Sequence, residues 1–185
     1  MNYIFLVVFL LKSISLCALM LDKGVVEHSL QPGDTVVEFY RVINDEGKLL
    51  GINVSAEDWP SSRQINDTSI IDFYPKNFFL DIDKSEVVKV TAKLPKNTIG
   101  EKRYMLFFEG VPYKDGHPTS SMFKNQIGYA MYLTVKGEEL RTVEITKPVI
   151  QLENNHIKYS IIATNTGNVH LRPLAYLEIF KGDTE

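Results

Sequence analysis

Gln31-Pro32-Gly33-Asp34-Thr35, then Val36 to Ile43, then Asn44-Asp45-Glu46-Gly47, then Leu49 to Val54, then Glu57-Asp58-Trp59: this stretch reads turn, strand, turn, strand, aromatic corner. Pro32 presets φ and Gly33 tolerates positive φ, so Pro-Gly-Asp makes a turn. Asn44 to Gly47 supplies the next turn with residues that accept left-handed geometry. Val, Phe, Tyr and Ile between the turns favour the half-buried surface of a sheet. Two faces of the first strand are apolar, one with Val37, Phe39 and Ile43 and one with Val36, Tyr40 and Val42. Either could face a core.

Outward from this unit the same pattern continues. Leu19 to Leu30 reads as a first strand with Gly24 inside it. Residues 60–69 are polar and turn-rich, hence a loop, with Trp59 expected to plug the end of the domain, or alternatively to stand as an exposed sugar-stacking platform. Ile70 to Phe73 is a short strand ended by Tyr74-Pro75, and Phe78 to Leu80 leads into a turn at Asp81 to Ser85. Glu86 to Leu94 alternates, with Val88, Val90, Ala92 and Leu94 on one face and Lys89, Thr91 and Lys93 on the other, as in an antiparallel strand with one wet face. Arg103 to Glu109 is a strand dense in aromatics, and Pro112 to Lys124 a long loop. Gln126 to Lys136 alternates again, with Ile127, Tyr129, Met131, Leu133 and Val135 on one face. Short strands, turns between them and no helical period predict an all-β, immunoglobulin-like antiparallel β-sandwich.

A charged hinge, Gly137 to Thr142, separates this domain from an echo of its opening. His156 to Asn165 can be laid on Thr35 to Asn44, each ending in Asn before a Gly-containing turn and then a further strand, Leu49 to Val54 or Leu174 to Phe180. The division expected is 19–136 for the sandwich, 137–142 for the hinge and 143–185 for the first strands of a second, incomplete immunoglobulin-like domain. Three strands cannot close a sandwich. The chain therefore reads as a piece of a longer protein, or its last strands lean on the first domain or a partner.

Composition narrows the function. The chain has 185 residues, 44% hydrophobic and 23% charged, with net charge −3. That is globular, and it gives no basic surface for nucleic acid. Tyr3 to Leu11 is an unbroken apolar run, followed by Lys12 and smaller residues up to Cys17-Ala18. Residues 1–18 thus read as a secretory signal, with an uncleaved anchor over 3–21 as the alternative. Cys17 is the only cysteine, and cleavage after it leaves an exported domain held by its core without disulfides. Membrane contact is expected only through that uncleaved segment or an anchor beyond Glu185.

No Gly-x-Ser-x-Gly, paired histidines or phosphate-cradling Gly loop is present, so an enzyme is not expected. No cofactor is expected either. Asp81-x-Asp83-x-Ser85 begins like a calcium loop but lacks its Gly and its final Glu, so it reads as a turn and no metal site is expected. Glu57 and Asp58 are adjacent and would point to opposite faces of a strand. His170 reads as a turn-flanking residue. Asn53-Val-Ser55 and Asn66-Asp-Thr68 match the glycosylation sequon, which matters only in a secretory eukaryotic host.

Leu30-Gln-Pro-Gly-Asp-Thr35, Val42-x-Asn44, Pro75-x-x-Phe78-x-Leu80, Val88-x-Val90, Leu94-Pro95, Tyr104-x-x-Phe107, Ile127-Gly-Tyr129 and Asn165-Thr-Gly-Asn-Val-His170 occur in a telling order. Over residues 22 to 181 the whole resembles the bacterial PapD-like family, the periplasmic pilus chaperones and their broader envelope relatives. The resemblance implies two immunoglobulin-like domains behind a signal peptide, in the periplasm or at the cell surface. It implies a non-enzymatic protein that binds a secreted or surface protein, such as a pilin-like subunit, by lending a strand. That strand corresponds to Gln126 to Lys136, where Ile127, Tyr129, Met131 and Leu133 would fill pockets in the client. The bland alternative is that this row packs inside its own sandwich. The family's chaperones also grip a client carboxylate with two basic cleft residues. Here Ile127 to Val135 contains no Lys or Arg, and Lys23, Lys136 and Arg141 are the candidates that remain. A structural or adhesive surface module of stacked domains is the competing function.

Overall fold

A computed structural model describes residues 19–61, 63–114, 117–118, 124–154, 156–176 and 178. The signal segment 1–18 lies outside the described residues. Among those residues every regular element is a strand. One sheet has the order β1 (Leu19–Leu21), β3 (Thr35–Asn44), β8 (Ser85–Lys93), β6 (Ile71–Tyr74). The larger sheet runs β2 (Val26–Leu30), β11 (Asn125–Val135), β9 (Glu101–Lys114), β4 (Leu50–Asp58), β5 (Arg63–Gln64). In it β7 (Asn77–Leu80) also pairs with β4, and β10 (His117–Pro118) folds back on the end of β9.

The alternating residues of both sheets fill one core. Val88, Val90, Ala92 and Leu94 are all fully buried, as their spacing predicts. On β3 the open choice of face is settled by packing. Tyr40 and Val42 are buried, whereas Val37 and Phe39 are 42% and 53% exposed. The turns follow the sequence too, since Gly33 and Gly47 both take positive φ, at 95° and 63°.

Several boundaries differ from the expectation. Leu19 to Leu30 is not one strand. β1 pairs antiparallel with β3, the chain crosses at 22–25, and β2 joins the other sheet parallel to β11. The crossing lets one segment close the same edge of both sheets. Residues 60–69 are not wholly loop, because β5 pairs with the end of β4. β9 runs past Pro112 to Lys114, so the predicted loop is partly strand; its other described residues are β10 and Lys124. Trp59 does not plug the sandwich: it is 38% exposed and meets Tyr132 edge-on, with ring centroids 6.0 Å apart.

Beyond Lys136, β12 (Val143–Ile145) pairs with β15 (Ala163–Asn165), and β13 (Val149–Glu153) with β14 (His156–Ser160). The segment laid on β3 is therefore broken at Ile161-Ile162, opposite Pro148, a residue that cannot donate to a ladder. The two asparagines of the echo nevertheless do the same job. Asn44 Oδ1 accepts the Glu46 N–H at 3.0 Å and Asn44 Nδ2 donates to the Lys48 carbonyl at 2.7 Å. Asn165 Oδ1 accepts the Gly167 N–H at 2.9 Å and Asn165 Nδ2 donates to the Val169 carbonyl at 2.8 Å. Each side chain ties the turn two and four residues ahead of it. Of Leu174 to Phe180, the described residues 174–176 and 178 form no strand.

Candidate functional site

β11 is formed by Asn125 to Val135, and its partners differ along its length. On one side β9 pairs with it from Asn125 to Thr134. On the other, β2 covers only Met131 to Val135. The outer edge of Asn125 to Ala130 has no strand beside it among the described residues. A strand edge left open in this way presents unpaired N–H and C=O groups.

The expected client-facing row divides at the same place. Met131 and Leu133 are fully buried in the sandwich's own core, so they cannot fill pockets in another protein. They are corrected from client contacts to core, because the far sheet covers them on this face. Ile127 is only partly buried against that core, and Tyr129 is half-buried. The Tyr129 ring lies against the crossing segment, close to Gly24.

The basic candidates do not come together. Lys23 precedes β2 and Lys136 follows β11. These strands run parallel, so the two lysines sit at opposite ends of a five-residue ladder, about 16 Å long at roughly 3.3 Å per residue. Lys23 Nζ is already held by Glu38 at 2.6 Å, and His28 Nε2 meets the other oxygen of Glu38 at 2.9 Å. Burial pushes the Glu38 carboxyl up. The Lys23 hydrogen bond and charge, together with those of His28, outweigh it and leave the group below its ordinary value. Lys136 and Arg141 are exposed. Arg141 lies near Glu139, whose carboxyl is lowered first by its own backbone N–H and also by the Gly137 N–H, Ser29 and Arg141 itself. A single carboxylate grip built from these three basic residues has no support in this arrangement.

A second cluster gathers beside the buried half of β11. Here His170, read from sequence as flanking a turn, is a bolt. Its Nδ1 lies 2.6 Å from Glu101 Oε2, its backbone N–H donates to Glu101 Oε1 at 3.2 Å, and its ring stacks on Tyr132 with centroids 3.8 Å apart. The Glu101 side chain is fully shielded and also takes Arg103 Nε at 2.8 Å. Glu27 meets His170 Nε2 at 3.4 Å and pairs with Arg172. Below this, Asn168 Oδ1 accepts the Leu140 N–H at 2.8 Å, and Asn168 Nδ2 donates to the Glu138 carbonyl at 2.9 Å. Gly100 has φ of 70°, and a Cβ there would lie 2.7 Å from the Asn168 carbonyl oxygen, so only glycine admits the approach. The 165–172 segment is thus latched to the start of β9 and the end of β11.

Sequence reasoning missed this latch because its parts are 69 positions apart. One signal was available. Tyr132 occupies the outer face of β11, where alternation predicts a wet residue, and it is only 8% exposed.

The remaining chemical candidates are structural. Asp81 to Ser85 is a turn, with Asp83 at φ 56° and the Lys84 N–H donating to the Asp81 carbonyl at 3.2 Å. Asp58 pairs with Lys102. Among the described residues no three His, Cys, Asp or Glu side chains converge as metal ligands would.

No family model matches the chain, and no curated protein does. Solved structures match in fold. The periplasmic chaperone SfaE aligns with a TM-score of 0.53 at 10% identity, covering 81% of this chain and 85% of that one. The E. coli chaperone DraB gives 0.53 at 14% identity, covering 71% and 65%. A chaperone–tip adhesin complex of CFA/I fimbriae biogenesis gives 0.51 at 17% identity, covering 82% and 68%. The chain has the PapD-like, immunoglobulin-type fold of these pilus chaperones.

Proposed function

We propose that this PapD-like chain is an exported, non-enzymatic chaperone-type protein. It acts in the periplasm or at the cell surface and binds another secreted or surface protein by strand addition along Asn125 to Ala130. The observation that carries the reading is the half-paired β11. Its later half is paired on both sides, by β9 and β2, and its earlier half has no strand on its outer side among the described residues. Main-chain bonding along a free edge supplies affinity, and alternating side chains supply selection. Ile127 and Tyr129 are the side chains placed to select. The names of the fold's neighbours, periplasmic chaperones and a chaperone–tip adhesin complex, support a pilin-like client. In this reading 19–136 is the working domain, 137–142 a hinge and 143–185 the start of a second unit held by the His170 latch.

The test mixes the protein with a pilin-type domain lacking its last strand and measures complex formation by calorimetry. Ile127→Glu and Tyr129→Glu should weaken binding more than about tenfold, equivalent to roughly 1.4 kcal/mol, while the melting transition stays cooperative. Met131→Glu should unfold the domain. If the two edge variants bind as well as the parent, strand addition at this edge is wrong.

A further inference from the structure

The outer face of the larger sheet carries a feature that strand addition does not use. Register sets Asn77 beside Asn53, Asn53 beside Glu109, and Glu109 beside Gln126, one residue from each of four adjacent strands. Asn77, Asn53 and Gln126 are exposed on this outward face, and Glu109 is half-exposed. The row spans three inter-strand gaps, about 14 Å at roughly 4.8 Å each. None of the three amides hydrogen-bonds to another described side chain or backbone group. Each therefore offers a donor and an acceptor outward. Among the described residues, Lys124 approaches Glu109, at 3.4 Å.

Aromatic rings wall this row on both sides. On one side the Tyr113 ring fills the space over Gly51, where a Cβ would lie 2.6 Å from the ring, and Phe79 meets that ring edge-on at 5.0 Å. Phe79 is 63% exposed. On the other side the Phe107 ring approaches Gly128, where a Cβ would lie 2.9 Å from it. Two glycines thus make room for two rings on a face that alternation alone would leave polar. The Tyr113 side forms an open cleft of about 480 Å³ floored by Gly51, Asn53, Asn77 and Val111.

We propose that this face is a binding site for a neutral oligosaccharide of two or three sugar rings. Planar amides in a row match the paired donors and acceptors of sugar hydroxyls. Flanking rings match the apolar C–H faces of pyranoses, which pack on aromatic carbon. Glu109 and Lys124 pair at 3.4 Å, so the row carries no net charge that would recruit phosphodiesters or acidic glycans. An added peptide strand would use the backbone edge of β11, whereas these side chains stand on the outward face of the sheet. The site shares Gln126 and Gly128 with the open half of β11 but uses the sheet's face, not its edge.

The test titrates the protein with cellotriose, maltotriose and chitotriose up to 10 mM, read by calorimetry and by saturation-transfer NMR. At least one should bind. Asn53→Ala and Gln126→Ala should each weaken it about fivefold with an unchanged melting temperature. Two results would overturn the proposal: no binding of any of the three sugars, or binding that ignores both amide substitutions. A covalent glycan found on Asn53 by intact-mass measurement would overturn it too, since it would cover the row.

Discussion

The hydroxyls of Tyr40 and Tyr104 are buried and find no hydrogen-bond partner among the described residues. Each ring instead carries a lysine above it, Lys23 at 5.8 Å and Lys102 at 5.6 Å. Burial first, and the nearby Asp58 carboxylate second, push the Tyr104 hydroxyl up to about 12. Its folded value lies above the ordinary 10.0, so the stability it contributes is complete below pH 10 and is lost as pH rises towards 12. Stability measured by urea melts between about pH 9 and 11.5 should therefore fall with rising pH, and less steeply in Tyr104→Phe. At neutral pH that variant removes an unpaired polar atom while keeping the ring and its lysine. It should be neutral or more stable by up to about 1 kcal/mol. The burial of these tyrosines was partly legible, Tyr40 lying on one of two plausible core faces. The missing hydroxyl partners were not, because they depend on what the opposite sheet brings near.

At the scale of the element, the first strand shows how a local reading falls short. Leu19 to Leu30 has strand residues throughout, and it is strand at both ends. Only the presence of two sheet edges at one corner makes it worthwhile to break at 22–25 and serve both. The break is held by side chains: Asp22 Oδ1 accepts the Arg41 N–H at 2.8 Å, and Lys23 pairs with Glu38 on β3. The Glu38 carboxyl is lowered from 4.5, so its contribution is present above that value and is lost as pH falls through the lower folded one. Acid titration from about pH 5 to 3 should loosen this corner, seen as faster amide exchange in residues 26–30. Lys23→Met should reduce that pH dependence. β11 teaches the same lesson. Its alternation was plain in the sequence, but whether the row from Ile127 to Val135 faces the core or a client was decided only by packing, which buries Met131 and Leu133. Which half of its edge stays open was decided by where β2 begins.

At the scale of the whole molecule, the latch joins the 165–172 segment to the sandwich. His170→Ala removes the ring stacked on Tyr132 and leaves the shielded Glu101 carboxylate short of a partner. It should cost roughly 1–3 kcal/mol. Hydrogen exchange at the Leu140 and Asn168 amides should speed up in that variant, while the β3–β8 ladder stays protected. If those amides are unchanged, His170 does not hold the junction. The all-β class, the turn glycines, the buried face of β8 and the paired roles of Asn44 and Asn165 were determined by the sequence alone. Each depends on residue type at a spacing of a few positions, where local geometry governs. The crossing at 22–25, the open half of β11, the Glu101–His170 latch and the amide row from Asn77 to Gln126 were decided only by the tertiary structure. Each depends on register between strands distant in the chain, and alternation says which side a residue takes but not which neighbour it meets.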